Sequence, residues 1–374
     1  MRINDFRLEC YFAKYEFSAK YLLSSSDCES LKLGDLLQMA DQECMALWDD
    51  LKLGYTDSKG HPLLRNEISK LYRKIKPEDI IVLAPEEGIF VAMNSILDRG
   101  DHVISIEPAY QSLAEIPESL GCAVTRWPVS LNDNKWSIDT SYLQNAIRSN
   151  TKLIIINFPH NPTGFIPDPG EFKTIAGLAV NNDIFLFSDE MYRYLEFSES
   201  RRYESAADIF SNGISLSGLS KSFGLPGLRT GWLATRNKTV MEKIRRFRYY
   251  TTICGSAPGE ILSIIALRNK DRIISRNLDL VRKNVQIAKM LFNKHNGLLN
   301  WIEPQGGSIA FPHLNEKIHA DEFCRKLIDL KSVLLLPASI FNFPGNHFRI
   351  GLGRINFPQA LNVFESFIDE HYAP

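Results

Sequence analysis

Lys221 stands in the run Ser217-Gly-Leu-Ser-Lys-Ser-Phe-Gly-Leu-Pro-Gly-Leu-Arg229. A lysine amine whose pKa is depressed by its surroundings condenses with an aldehyde to form a Schiff base. Arg229 follows eight residues later, after a glycine-rich turn. Its guanidinium suits an anchored phosphate, because it grips oxyanions in a planar, bidentate way. Other residues with chemical potential lie in short polar runs. Asp189 and Tyr192 are in Ser188-Asp-Glu-Met-Tyr192, Asn161 is in Asn157-Phe-Pro-His-Asn-Pro-Thr-Gly164, and Tyr110 ends Glu107-Pro-Ala-Tyr110. Tyr55 lies upstream in Gly54-Tyr-Thr-Asp-Ser-Lys-Gly60, and Arg349 downstream in His347-Phe-Arg-Ile-Gly351. Taken singly, each has an ordinary structural use as a helix cap, turn former, core aromatic or surface ion pair. Their placement on the elements gives them joint meaning.

Those elements are short apolar runs separated by segments of helical spacing. The runs are Ile80–Leu83, Val103–Ile106, Leu153–Ile156, Ile184–Phe187, Ile214–Leu216 and Gly231–Ala234, with helices expected over Gly88–Leu97 and Phe172–Val180. Unbroken apolar strands alternating with helices predict a three-layer α/β/α fold with a mostly parallel sheet, covered on both faces. Ligands of such sheets bind beyond the carboxyl ends of the strands. Tyr110, Asn161, Asp189 and Lys221 each follow such an end. This large domain is expected over residues 50–270. Residues 1–49 and 271–374 are expected to form a smaller α+β domain, with helices at Leu280–Lys294 and Asp321–Leu330 and strands at Val333–Leu336 and Phe348–Leu352.

Composition narrows the class. The 374 residues are 44% hydrophobic, with 43 basic and 44 acidic side chains and a net charge of −1, so no nucleic-acid partner is expected. The longest apolar runs fall far short of the roughly 20 residues of a membrane helix. The six cysteines are scattered without metal-ligand spacing and read as buried thiols. With no leader pattern at the start, a cytoplasmic protein without metal is expected.

The polar runs and their order resemble those of class I/II aminotransferases, fold-type I enzymes that use pyridoxal 5′-phosphate (PLP). The resemblance covers most of the chain. It implies that Lys221 carries the cofactor as a Schiff base and then moves the substrate proton, and that Asp189 pairs with the pyridine nitrogen. Asn161 and Tyr192 would bind the 3′-oxygen, and Tyr110 would stack on the ring. Ser220, Arg229 and the first turn of the helix opening near Glu86 and Glu87 would hold the phosphate. Tyr55 would reach the phosphate of a partner subunit, which implies a homodimer. Arg349 would clamp the substrate carboxylate, and Asn161 would also contact the substrate.

Three departures stand out. Pro85 and Glu86 replace the small residue and hydroxyl usual before the phosphate-binding helix, so contact there is expected through main-chain amides, with the Glu86 carboxylate turned away. Gly218 stands where many relatives have serine. The segment Tyr21–Cys28, with Tyr11–Lys14, His160 and Gly224–Gly227, is similar to a subgroup that includes capreomycidine synthase, a PLP-dependent cyclase acting on an arginine derivative. Ser26 and its neighbours Ser24 to Asp27 are expected to face substrate, with Asp27 favouring a cationic side chain. His160 and Tyr249–Ser256 are further expected to line the side-chain pocket. The resemblance implies transfer of an amino group from an L-amino acid to a 2-oxo acid. The alternatives are another PLP outcome, cyclase or lyase, and a non-catalytic PLP-binding protein.

Overall fold

The computed structural model describes residues 2–372. Eight strands build its main sheet: β1 (Ile80–Leu83), β2 (His102–Glu107), β3 (Ala123–Asn132), β4 (Lys135–Ile138), β5 (Thr151–Asn157), β6 (Phe185–Asp189), β7 (Gly213–Gly218) and β8 (Gly231–Ala234). They lie in the order β1-β8-β7-β6-β5-β2-β3-β4. The central pairs β7–β6, β6–β5, β5–β2 and β2–β3 are parallel, while β8 runs antiparallel to both β1 and β7. All six apolar runs are therefore strands of one sheet.

These runs are apolar on both faces, interrupted only by the buried Ser105 and Ser215, because both faces are covered. Successive strand residues point to opposite faces. Ile81 and Leu83 pack with Val103, Leu153, Ile155 and Phe187 on one side, against the helix Pro85–Ile96. Ile104, Ile106, Ile154, Ile156 and Leu186 pack on the other, with Ile175 and Ala179 of the helix Pro169–Asn181. The hairpin of β3 and β4 has no such continuous run. Trp127 and Val129 are buried while Pro128 and Ser130 are exposed, so its apolar residues alternate at a sheet edge.

Around this sheet the termini pack in two places. The helix Lys270–Lys294, the helix Ala320–Lys331 and the last helix, Phe357–His371, share an apolar cluster with Leu23, Cys28, Leu299 and Phe348. A three-stranded sheet of Ile309–Ala310, Phe348–Gly351 and Leu336–Pro337 lies in this region. Of the strand expected over Val333–Leu336 only Leu336 is in a ladder; Val333 makes an isolated bridge to Tyr21. Leu36 and Cys44 instead pack with Leu64, Ile68 and Ile261. The packing around the large sheet therefore reaches back past residue 50. Of the cysteines, Cys10 is exposed and Cys254 half-buried, so the expectation of uniformly buried thiols is corrected at those two positions. No described helix is long and apolar enough to cross a membrane.

Candidate active site

The carboxyl ends of β1, β2, β5, β6 and β7 all reach one edge of the sheet. Because β8 runs antiparallel, its amino end, just after Arg229, reaches the same edge. Strand order reverses between β2 and β5, which opens a crevice at the place where ligands of such sheets sit. A cavity of about 490 Å³ lies there. Ser26, Glu86, Tyr110, Asn161, Asp189, Tyr192, Ser220, Lys221, Arg229 and Arg349 all line it. Residues up to 323 positions apart are thus gathered by the topology alone.

The Lys221 amine lies in this cavity and donates to Ser26 Oγ at 2.7 Å. Burial lowers its pKa, with the nearby Asp27 charge opposing the shift and Arg349 adding to it. Asp189, at the end of β6, accepts from the Met191 amide at 3.1 Å. Burial raises its carboxyl to about 6, against the pull of that amide and of Lys221. Behind it, Asn157 Nδ2 donates to the Asp189 carbonyl at 3.0 Å, while Asn157 Oδ1 accepts from the Asn161 amide at 2.8 Å. One asparagine therefore ties the ends of β5 and β6 together.

Arg349 is only 1% exposed. It donates to Asn161 Oδ1 at 3.2 Å and to the Ser24 carbonyl at 2.9 Å, and its Nε has no partner. Burial lowers its pKa. A buried guanidinium with no carboxylate paired to it among the described residues is poised for an anion supplied from outside. Among the described residues the Tyr192 hydroxyl and Ser220 Oγ are likewise buried without hydrogen-bond partners, and burial pushes the Tyr192 phenol up to about 12. Tyr110 donates to Glu9 Oε1 at 3.0 Å.

Several expectations are corrected. Glu86 does not turn away: its carboxyl lines the cavity and accepts from Ser112 Oγ at 3.2 Å. Burial, reinforced by the charges of Glu9 and Asp189, raises it to about 7. Glu87 is the acid that leaves, accepting from the hydroxyls of Thr251 at 2.5 Å and Thr252 at 2.7 Å. Helical geometry sends consecutive side chains about 100° apart, so one of the pair faces the cavity and the other does not. Tyr55, expected to act on a partner subunit, is not corrected: it is 92% exposed in its own chain and lies in a separate surface cleft. His160 is buried, hydrogen-bonded to Thr163 at 2.7 Å and pushed down to about 3 by burial, and it does not line the cavity. None of Tyr249–Ser256 lines it either. Asp27 does, but Arg354 pairs with both its oxygens at 2.9 and 3.0 Å, so its charge is already compensated.

Sequence reasoning missed Arg354 and the helix Arg7–Tyr15, which contributes Leu8, Glu9 and Phe12 to the cavity wall. The i, i+4 spacing of Leu8 and Phe12 was the available signal. Gly218 also gains a reason. A Cβ there would stand 3.0 Å from Gly231 Cα, and Gly231 is itself packed against the Pro85 ring.

An enclosed amine, a carboxylate at the end of the adjacent strand and hydroxyls without partners suit an aldehyde-bearing, phosphorylated pyridine ring, held beside an anion-binding arginine. Fold and cavity together define a Schiff-base enzyme of the PLP type. The profile of the family described as aminotransferase class I and II matches residues 20–359, and the chain belongs to that family. Its cofactor is accordingly pyridoxal 5′-phosphate. The chain is 27% identical over 348 residues to capreomycidine synthase of Streptomyces vinaceus, covering 92% of this chain and 88% of that one. It is 28% identical over 320 residues to an aspartate aminotransferase of Pyrococcus horikoshii, covering 82% and 79%. A PLP-dependent aminotransferase structure from Streptococcus suis superimposes with a TM-score of 0.92 at 29% identity, covering 100% of both chains.

Proposed function

We propose that this enzyme transfers the amino group of an L-amino acid to a 2-oxo acid, with Lys221 moving the proton. The observation that carries the reading is the meeting of the Lys221 amine, the Asp189 carboxylate and the Arg349 guanidinium in one cavity. When bound, PLP supplies an aldehyde for the substrate amine and a ring that takes up the electron pair left at Cα. Arg349 and Asn161 bind the substrate carboxylate and so orient the Cα–H bond. Lys221 Nζ takes the Cα proton and returns it one carbon away; a neutral amine is needed, and burial favours it. Asp189, as a carboxylate, would hold the proton on the ring nitrogen. Tyr192 and Asn161 would bind the ring oxygen, and Tyr110 would cover one ring face. The Tyr21–Cys28 segment and the helix Arg7–Tyr15 exclude water from above.

A panel of L-amino acids, including arginine, added to the holoenzyme without acceptor tests this. Transamination releases one equivalent of 2-oxo acid per site and then stops until a second oxo acid is added. Continuous oxo-acid release with ammonia, or a cyclised product retaining its nitrogen, rejects it. Cyclisation is the second reading, favoured by the likeness to capreomycidine synthase and by the segment that brings Ser26 to Lys221.

We further infer a homodimer in which Tyr55 serves the partner's phosphate. In its own chain Tyr55 lies outside the cavity, and Leu53 and Tyr250 are exposed large apolar side chains like it.

A further inference from the structure

The phosphate end of the cavity contains an acid with no cation paired to it. The helix Pro85–Ile96 starts with a proline, which has no amide proton to offer, and Ala84 provides no side-chain cap. The Gly88 amide is already bonded to the Ala84 carbonyl at 2.9 Å, which leaves only the Glu86 and Glu87 amides of this turn for an anion. The Glu86 carboxyl lines the same cavity as Ser220 and Arg229. Its one hydrogen bond comes from Ser112, and among the described residues no basic group lies within ion-pairing distance of it. Ser220 Oγ has no partner. An ionised Glu86 here would repel a phosphate dianion; a protonated one would be a donor.

We propose that Glu86 binds the cofactor phosphate as a neutral carboxylic acid, its O–H donating to a phosphate oxygen in place of the missing hydroxyl and the missing Pro85 amide. The surroundings favour that form. Glu9 from the N-terminal helix and Asp189 from the end of β6 both press Glu86 toward protonation, as does burial, while Arg229 and the Ser112 hydroxyl oppose it. Tyr110, from the loop after β2, is a further titratable neighbour, and it stays neutral because its own phenol is raised further by burial. Lys221, held toward its neutral form by burial, and the cation Arg349 line the same cavity. The cofactor-free protein holds this proton up to about pH 7. A bound dianion raises that limit, so above pH 7 binding must take up a proton from solution. Cofactor affinity then falls as pH rises, through a residue that does not touch the reacting atoms.

The test uses pyridoxine 5′-phosphate, which has no aldehyde and so makes no bond to Lys221. It is titrated calorimetrically into the full-length protein stripped of cofactor, from pH 6 to pH 9, for wild type, Glu86→Gln and Glu86→Ala. Relative to Glu86→Gln, whose amide donates at every pH, the wild-type Kd should rise by up to about tenfold per pH unit above pH 7. Wild type should also take up about one proton more than Glu86→Gln on binding at pH 8. Glu86→Ala should show the flat profile of Glu86→Gln at weaker affinity. Pyridoxine, without the phosphate, should bind all three with the same pH profile, which also shows that the variants keep their pocket. Parallel wild-type and Glu86→Gln profiles, or the same difference between them with pyridoxine, would overturn the proposal.

Discussion

Asp189 and Arg349 are held in the cavity against the preference of burial for the neutral form, and each is matched by a charge that cofactor or substrate brings. Burial instead favours the neutral amine that Lys221 needs. Lys221→Ala should lower turnover by on the order of 10²–10⁴-fold and abolish the absorbance of covalently bound cofactor, with far-UV circular dichroism unchanged. Amino-group transfer at the wild-type rate would remove Lys221 from its role. Arg349→Lys keeps the charge but loses the planar fork; kcat/KM for the amino acid should fall about 10²-fold, mainly through KM. Asp189 carries a pH prediction. Its carboxyl is raised from 3.8 to about 6, so the folded cofactor-free chain keeps a proton that the unfolded chain gives up in that window. Stability therefore falls as pH rises from about 4 to 6. Asp189→Asn should remove this part of the fall, read as a difference in thermal midpoint between the two proteins at pH 4.5 and pH 7. Equal midpoint differences at the two pH values would show that burial does not raise this carboxyl. Lys221 and Asp189 were legible in the sequence because each follows the end of an apolar run, and Arg349 through the resemblance to the family. The orientation of Glu86 was not, since which of two adjacent acids enters a cavity depends on where the helix axis lies.

The elements that deliver these residues were legible to the extent that each is buried on two sides. β1, β2 and β5 to β8 read as apolar runs because helices cover both faces, whereas β3 and β4 alternate at an edge and gave no such run. The N-terminal segment was read as a substrate-facing loop, but its support comes from backbone contacts. The Gly351 amide donates to the Leu23 carbonyl at 2.5 Å, the Glu29 amide donates to the Gly353 carbonyl at 2.7 Å, and Ser308 Oγ donates to the Ser26 carbonyl at 2.6 Å. A Cβ on Gly351 would fall 1.8 Å from the Ser25 carbonyl oxygen. Gly351→Ala should therefore push residues 24–27 outward, destabilise the protein by about 1–3 kcal/mol and raise KM more than it lowers kcat. Denaturant unfolding and steady-state kinetics read the two effects separately, and wild-type values for both would refute the close approach.

At the scale of the whole molecule, the proposed shared site has Tyr55, which lies outside the cavity of its own chain, complete the phosphate end of a partner's cavity. Sedimentation should give a species of about 85 kDa, twice the 42.6 kDa chain. Tyr55→Phe should weaken cofactor retention during dialysis without changing that mass. A monomer that keeps full activity would reject the shared site. The sequence by itself supplied the candidate groups and the sheet that carries them: a lysine with an arginine eight residues on, a carboxylate at a strand end, and apolar runs long enough for a covered sheet. Those are local properties, set by side-chain type and by periodicity along the chain. Only the tertiary structure decided which neighbours each group meets. It turned Glu86 inward and Glu87 outward, matched Asp27 with Arg354, withdrew His160 and brought in the helix Arg7–Tyr15. Such pairings depend on distances between elements far apart in the chain, and burial then sets the charge each group can hold.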